Sequence, residues 1–454
     1  MKKLLMIVGL LMILSLVVSC APKPAQETPA PIQPTSKAGT TTEVASPKEP
    51  VTLTFMRPGL GDDAMVETEA QMGPFYEMYP WITVETIILP PPDVSTKLQT
   101  GIAGGAPPDI VMGLGIFDAI KYSDSGQFLD MTPFAEAEGF DWKNYYDPAS
   151  LAYFGVNGRL ECVPETSDTR TLAYNKDMFD AAGLAYPTDD WTWDDLLTAA
   201  QALTLDTNGD GQINQWGFAT HTWDYQPWIW AAGGALFNDD YSEILVTDPV
   251  VESTFQFLTD LRYKYEVWPP EEVTSTFPEV GFMFAQNQLA MYPARWLPDT
   301  IFFFADLPFN WDVVMMPKNP ETGLRAASKG GGCIGAFAAT EHPEETYLLW
   351  KYLTSDEGVY NRSVGSNGIP ALAGGPEATW PLLTEAFTKV DQPANAIAFV
   401  EMQPFTRFHE IPLANAGEIY SAINPFLDEL WLGLKTIDEL APQIKEAVDP
   451  LLKK

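Results

Sequence analysis

Histidine and cysteine are scarce in this 454-residue chain, three of each, and its 26 Lys and Arg are far outnumbered by 61 Asp and Glu. Each shortage excludes something. His221, His342 and His409 are scattered without metal-ligand spacing, which argues against a histidine-bound catalytic zinc. Beyond Cys20, only Cys162 and Cys333 remain. They make no disulfide framework, and read either as one bridge formed in an oxidising compartment or as two small buried side chains. A formal net charge of −35 argues against nucleic acid or anionic lipid as a partner for the body of the chain. There is no Gly-x-Ser-x-Gly elbow, and Gly330-Gly331-Gly332 lacks the Lys-Ser/Thr that would follow in a phosphate-cradling loop. No apolar run after the N-terminal one is long enough to span a membrane. A secreted glycosidase needs only two well-placed carboxylates, so an acidic chain leaves that class open by counting alone.

What is present begins with an address. Lys2 and Lys3 precede an apolar run from Leu4 to Val18, too short for a comfortable span and proportioned like a signal h-region. The run ends Leu16-Val17-Val18-Ser19-Cys20, which resembles a bacterial lipobox. That resemblance implies a signal peptide over 1–19, cleavage before Cys20 and lipidation of Cys20, giving a lipid anchor in the membrane on the extracytoplasmic face. Several acyl chains anchor stably where one gives only marginal binding. Residues 20–50 follow as a Pro- and Thr-rich tether with seven prolines from Ala21 to Pro50 and no apolar period. Such composition stays extended and disordered.

The body from Val51 onward is long for one core and suggests two lobes. Val51-Thr52-Leu53-Thr54-Phe55 alternates as a half-buried strand does. Helical spacing follows from Ala64 to Tyr79, a β-branched strand over 82–89, a helix over 94–101, and Pro107-Pro108-Asp109-Ile110-Val111-Met112 as a turn feeding a buried strand. Strands alternating with helices predict an α/β body with a mostly parallel sheet.

The order of several segments resembles the family 1 extracellular solute-binding proteins, the group of the maltose-binding protein. Gly104-Gly105-Ala106-Pro107-Pro108-Asp109-Ile110-Val111 is similar to the family's opening, and Gly158-Arg159-Leu160-Glu161-Cys162-Val163-Pro164 to its first interlobe crossing, although Glu161-Cys162 stand where Tyr-Gly is common. Tyr174-Asn175-Lys176-Asp177-Met178-Phe179 resembles the family signature, followed by Trp191-Thr192-Trp193-Asp194-Asp195-Leu196, where Thr192 suits an N-cap. Ala290-Met291, Arg295-Trp296, Lys329-Gly330-Gly331-Gly332 and Tyr352-Leu353-Thr354-Ser355-Asp356-Glu357-Gly358 match further stretches. The resemblance implies a two-lobed periplasmic-binding (type II, Venus-flytrap) α/β fold with three crossings. By analogy lobe 1 is 51–163 plus 318–365, and lobe 2 is 166–315 plus 366–454. It further implies a monomer that is no enzyme, needs no cofactor, and hands a ligand to the permease of an ABC transporter.

A sugar presents C–H faces and hydroxyls, so its site wants aromatic planes and a few charged or amide groups. The chain has 14 Trp, 17 Tyr and 25 Phe. The resemblance implies as candidate ligand residues Trp223, Trp228 and Trp230, in a cluster with Tyr225; Arg295 and Trp296; and Tyr420 on a late helix. Asp168 and Arg170 follow the first crossing, where Arg170 serves either the ligand or an interlobe salt bridge. Phe117 and Asp118 follow the third strand at its carboxyl end, the usual ligand edge of an α/β sheet. A polyamine, phosphate ester or peptide ligand, or a surface receptor that feeds no transporter, are the competing readings. One further motif, Asp206, Asn208, Asp210, Gln212 and Asn214 with Gly211 at the sharp turn, matches the first positions of a calcium loop, but Gly217 stands where a bidentate Glu is expected. It reads either as a structural calcium site or as an Asx/Gly turn.

Overall fold

A computed structural model describes residues 48–59, 61–155, 158–295, 307–358 and 392–452, with short pieces at 304, 369, 371–374, 377, 380–381 and 383. The signal segment, Cys20, the tether as far as 47, and Trp296 lie outside the described residues. Among the described residues no helix is long and apolar enough to cross a membrane.

The first elements form where periodicity puts them. β1 (Val51–Pro58) is followed by a helix Gly61–Met78, β2 (Ile82–Leu89), a helix Pro91–Ala103 and β3 (Ile110–Leu114). β1 pairs in parallel with β2 and β3. β4 (Cys162–Pro164) and β10 (Cys333–Ala336) complete a five-stranded sheet in the order β2-β1-β3-β10-β4. A second sheet of four strands runs β6-β7-β5-β8, from β5 (Arg170–Asn175), β6 (Trp216–Phe218), β7 (Leu289–Arg295) and β8 (Trp311–Val314). A parallel pair of β9 (Ala327–Lys329) and β11 (Thr406–Phe408) stands beside it.

The sheets are mixed, which corrects the expectation of a mostly parallel sheet. β10 is antiparallel to β3 and β4, and β5 is antiparallel to β7 and β8. The cause is the return of the chain between lobes. β1, β3 and β4 run toward the crossing, while β10 and β5 start from it, so each arriving strand opposes its neighbours.

Local chemistry supports this layout. Thr192 and Asp195 form a reciprocal capping box at the start of the helix Trp193–Leu203. Asp147, Asn175 and Asp248 accept backbone N–H bonds at three other helix starts. The sheets have separate cores. Phe55, Phe75, Trp350 and Tyr352 fill one side of the five-stranded sheet, and Phe218, Trp228, Trp268, Phe284 and Trp311 the core of the four-stranded one. A buried side chain of this size stabilises by about 1.5–3 kcal/mol relative to exposure. Cys162 and Cys333 are bonded, joining β4 to β10 with a Cα separation of 5.4 Å.

The crossings lie side by side. Residues 165–169 join β4 to β5, and residues 330–332 join β9 to β10. Glu165 N–H donates to Gly332 O at 3.0 Å, and Asp168 and Gly330 exchange backbone bonds at 3.1 and 2.9 Å. Ile369 is tied to the same place, donating its N–H to the Asp168 carboxylate at 3.1 Å and accepting from Ser167 N–H at 2.8 Å. Gly331 sits at φ +139°, and a Cβ there would stand 2.3 Å from Thr166 O. A glycine is therefore required where the strands pass.

Candidate functional site

The site is assembled from four segments that meet at these crossings: the start of β5, the turn after β6, β9, and the segment after β11. The turn His221-Thr222-Trp223-Asp224 is closed by the Asp224 N–H donating to His221 O at 3.0 Å. His221 Nε2 is 2.9 Å from the Tyr292 hydroxyl on β7, which fixes the ring beneath the turn. Trp223 stacks on His221 at 4.9 Å between centroids and 22° between planes, and the Arg170 guanidinium lies 4.9 Å from its ring centre. The His409 ring approaches it at 5.4 Å. Trp223 is thus held from more than one side and still 43% exposed.

Beneath it lies a buried charge pair. Arg170, only 7% exposed, donates from Nε to Asp224 Oδ2 at 3.1 Å. Asp224 Oδ1 accepts from the Ser328 hydroxyl on β9. Asp224 thereby links the aromatic turn to the residue that follows the 165–169 crossing and to one that precedes the 330–332 crossing. Arg170 Nη1 and His409 Nδ1 are buried with no hydrogen-bond partner among the described residues. A buried polar group left unpaired costs free energy that a bound partner returns. The His409 carbonyl accepts from the Gln226 amide and from the Tyr420 hydroxyl, which also receives Ile411 N–H at 3.2 Å.

Three hollows open around Trp223 and His409. One of about 420 Å³ is lined by Trp223, Tyr225, Gln226, His409, Tyr420 and Asp428 among others. A second, of about 400 Å³, shares Gln226, His409 and Glu410 with it and reaches Tyr153, Trp230 and Arg407. A third, of about 250 Å³, shares Thr222 and Trp223 with the first and runs past His221 to Glu271 and Glu279. Burial, with help from Arg170, pushes His221 down to about 3, so the ring is neutral at physiological pH. His409 is lowered by the same causes, burial first, and burial raises the Glu410 carboxyl. The lining therefore combines aromatic planes, imidazoles, amides, carboxylates and the Arg262 and Arg407 guanidiniums, with the Arg170–Asp224 pair packed beside Trp223. Aromatic planes and directed polar groups suit stacking on and hydrogen bonding to a polar ligand.

The residues singled out from the sequence fall in different places. Trp223, Arg170 and Tyr420 are brought together, the last with its hydroxyl engaged by backbone. Trp230 is mostly buried and edges the second hollow beneath the Arg407 guanidinium. Trp228 is only 3% exposed and packs on Trp193, Phe218 and Phe257, so its indole belongs to the core and not to the hollows. Arg295 ends β7 opposite Arg170 and pairs with Glu279. Asp168 serves the crossings. Phe117 is exposed at the start of the helix Ile116–Asp124, and Asp118 beside it lies against Ser95 and Tyr122, its carboxyl raised by burial. The sequence does not single out Asp224, His221, His409, Ser328, Gln226 or Glu410 as ligand residues. For Asp224 it carries a signal, since a carboxylate adjoining the aromatic cluster is a natural partner for a buried arginine.

The loop from Asp206 to Asn214 spends its oxygens on itself. Asp206 accepts N–H bonds from Gly209 and Gly211, both at 2.7 Å, and Asn214 accepts from Thr207 N–H and hydroxyl at 2.9 Å. Among the described residues no group of three or more His, Cys, Asp or Glu side chains is placed to hold a metal ion.

Two α/β lobes joined by adjoining crossings, with hollows where the crossings meet, define the two-lobed periplasmic binding fold. The chain belongs to the bacterial extracellular solute-binding protein family, whose model matches residues 56–360. It is a binding protein and not an enzyme. Among solved structures it is similar to the ABC substrate-binding protein Lmo0181 of Listeria monocytogenes in complex with cycloalternan, at a TM-score of 0.74 and 23% identity over 89% of this chain and 100% of that one. The cyclic alpha-maltosyl-1,6-maltose binding protein of Arthrobacter globiformis aligns at a TM-score of 0.72 and 20% identity over 89% and 99%. The erythritol/L-threitol-binding protein of Mycolicibacterium smegmatis is 23% identical over 291 residues, 60% of this chain. The chain spans about half the length of that relative and of one from Deinococcus radiodurans, 56% and 54% respectively.

Proposed function

We propose that this is the lipid-anchored, extracytoplasmic substrate-binding component of an ABC importer, a monomer that captures a sugar between lobes 51–163 plus 318–365 and 166–315 plus 366–454 and delivers it to the membrane permease. The observation that carries the reading is the half-exposed Trp223 plane set beside the buried Arg170 Nη1 and His409 Nδ1, neither of which has a hydrogen-bond partner among the described residues. An aromatic plane suits the C–H face of a sugar ring, and directed donors suit its hydroxyls. Trp223, Arg170, Tyr420 and Trp230 are the contacts proposed from the lobe with the four-stranded sheet, with Arg295 at the end of β7, Trp296, which lies outside the described residues, and Phe117 from the other lobe. The ligands named for the two similar proteins, cycloalternan and cyclic alpha-maltosyl-1,6-maltose, support the ligand class. Ligand that touches both lobes favours their closure by no more than its differential affinity for the closed form. Cys20 is the proposed anchor, tested by releasing the protein from membranes with Cys20→Ala. For the loop 206–214 we infer a self-bonded turn, with structural calcium as the competing reading.

The test of the ligand class is a thermal-shift screen of the full-length chain against saccharides, with polyamines and phosphate esters as controls. Ligand at about 100 times its Kd stabilises by about 2.7 kcal/mol if it binds only the folded state. A saccharide shift lost in Trp223→Ala is the expected result. A shift from polyamines alone would overturn the sugar class.

A further inference from the structure

We infer that Tyr153, from the lobe with the five-stranded sheet, is a positioning residue for the recognition face of the opposite lobe: it holds Phe408 and Glu410, the two neighbours of His409, and so sets the imidazole against Trp223. This rests on the reading of the Trp223 face as the ligand site and adds how that face is assembled. Tyr153 lies in the last turn of the helix Pro148–Phe154. The helix is fixed to its own lobe, because Phe154 is buried in one core cluster with Val111, Cys162 and Cys333. The Tyr153 ring stacks on Phe408 at 3.8 Å between centroids and 4° between planes. Its hydroxyl donates to Glu410 O at 3.2 Å. One side chain thus grips the residue before His409 and the residue after it.

Strand geometry explains why that grip reaches the imidazole. Successive side chains of an extended segment point to opposite faces. β11 and the residue after it follow this rule. The Arg407 guanidinium lies 5.7 Å from the Trp230 ring centre, Phe408 turns to Tyr153, and the His409 ring returns to Trp223 at 5.4 Å. His409 therefore stands between two ties to one lobe, while its own carbonyl is held in the other by Gln226 and by the Tyr420 hydroxyl at 2.9 Å. A parallel tie runs beside these. Lys329 on β9 is the register partner of Phe408, and its ammonium reaches Asp147 Oδ2 at 2.6 Å, at the start of the same helix. Paired residues of β9 and β11 thus seize both ends of one short helix, which keeps the ring stack from sliding. Were the helix to move away with its lobe, Phe408 and Glu410 would lose their partner and His409 its setting.

The test is NMR of the ligand-free, full-length chain with isotope-labelled histidine rings. The Trp223 indole shifts the signals of both rings that lie against it, His221 and His409, by its ring current. His342, just before the helix Pro343–Leu353, is the reference. Trp223→Ala should move His221 and His409 together and so defines their unshifted positions. Tyr153→Ala is expected to carry His409 most of the way to that position while His221, held by Tyr292 at 2.9 Å, stays in place. Tyr153→Phe keeps the stack and loses the hydroxyl, so its His409 signals should stay nearer to those of the unaltered chain. Phe408→Leu keeps an apolar side chain without the ring plane and should reproduce Tyr153→Ala. Calorimetry with mono- and oligosaccharides of glucose, galactose, mannose and xylose adds a binding readout. Tyr153→Ala should weaken a responding saccharide about tenfold as the competent arrangement becomes rarer, and Tyr153→Phe should restore most of that loss. His409 signals that stay in place in both Tyr153→Ala and Phe408→Leu overturn the inference, as does movement of all three histidines at once. Silence from every saccharide sinks the sugar reading alone, because the ring shifts are read without ligand.

Discussion

The two lobes treat their polar groups at the cleft in opposite ways. In the lobe with the five-stranded sheet, carboxylates near the crossings are turned to protein partners. Asp147 caps a helix and receives Lys329 at 2.6 Å, and Glu161 is held by Ser123 and by Arg159 at 2.9 Å. In the lobe with the four-stranded sheet, Arg170 Nη1 and His409 Nδ1 are buried without a hydrogen-bond partner among the described residues, beside an indole left half in solvent. The carboxylates of one lobe are spent inside the protein, whereas the other lobe sets polar atoms beside an aromatic plane open to solvent.

This contrast can be broken at graded cost. The largest effects should come from the core and charge pair beneath the recognition face. Trp228→Ala is expected to lose about 3–5 kcal/mol of stability by urea denaturation, as a buried indole leaves a cavity. Asp224→Ala, which strands the buried Arg170 charge, is expected to cost about 3–5 kcal/mol and to abolish ligand binding. Trp223→Ala, only five positions from Trp228, should cost less than about 1 kcal/mol in the same assay. Equal losses for the two tryptophans would erase the distinction between core and face.

On the hinge side, reducing the Cys162–Cys333 bond is expected to cost about 2–4 kcal/mol, checked by melting with and without reductant. Acid comes next. His221 has a folded value of about 3, against about 6.5 unfolded, so the unfolded state binds the extra proton between those limits. Stability should therefore fall as pH drops below about 6.5, by about 2 kcal/mol at pH 5 from this ring alone, and His221→Gln should flatten that slope. A melting midpoint unchanged from pH 7 to 5 would contradict a neutral buried imidazole. The smallest effect concerns the loop 206–214. Because Asp206 already bonds two backbone amides, calcium should shift the melting midpoint by less than about 1 °C, and a larger shift would favour the metal-site reading.

Much of the fold is legible in the residues, and the site only in part. Periodicity alone marks β1, β2 and β3 because each is a short apolar or alternating run bounded by turn residues. Thr192 is legible as a cap because the chemistry is local. The order of segments carries the two-lobed architecture. The mixed pairing is not legible, because strand direction depends on where the chain re-enters a lobe. Nor does composition separate Trp223 from Trp228. Both stand in one aromatic run, and only the bend at His221–Asp224 turns one outward while the helix Gln226–Ala231 turns the other into the core. His221 and His409 are distant in the chain and look incidental until β11 and the turn after β6 bring both against one indole.

The bond between Cys162 and Cys333, 171 residues apart, gives the molecule a covalent topology of its own. All four strands β5 to β8 lie between the two cysteines, so their sheet sits inside a closed ring fastened at the base by one sulfur link. A protease that nicks the exposed turn at 206–214 would cut that ring once and release nothing. The two fragments would migrate together until a reductant parts them.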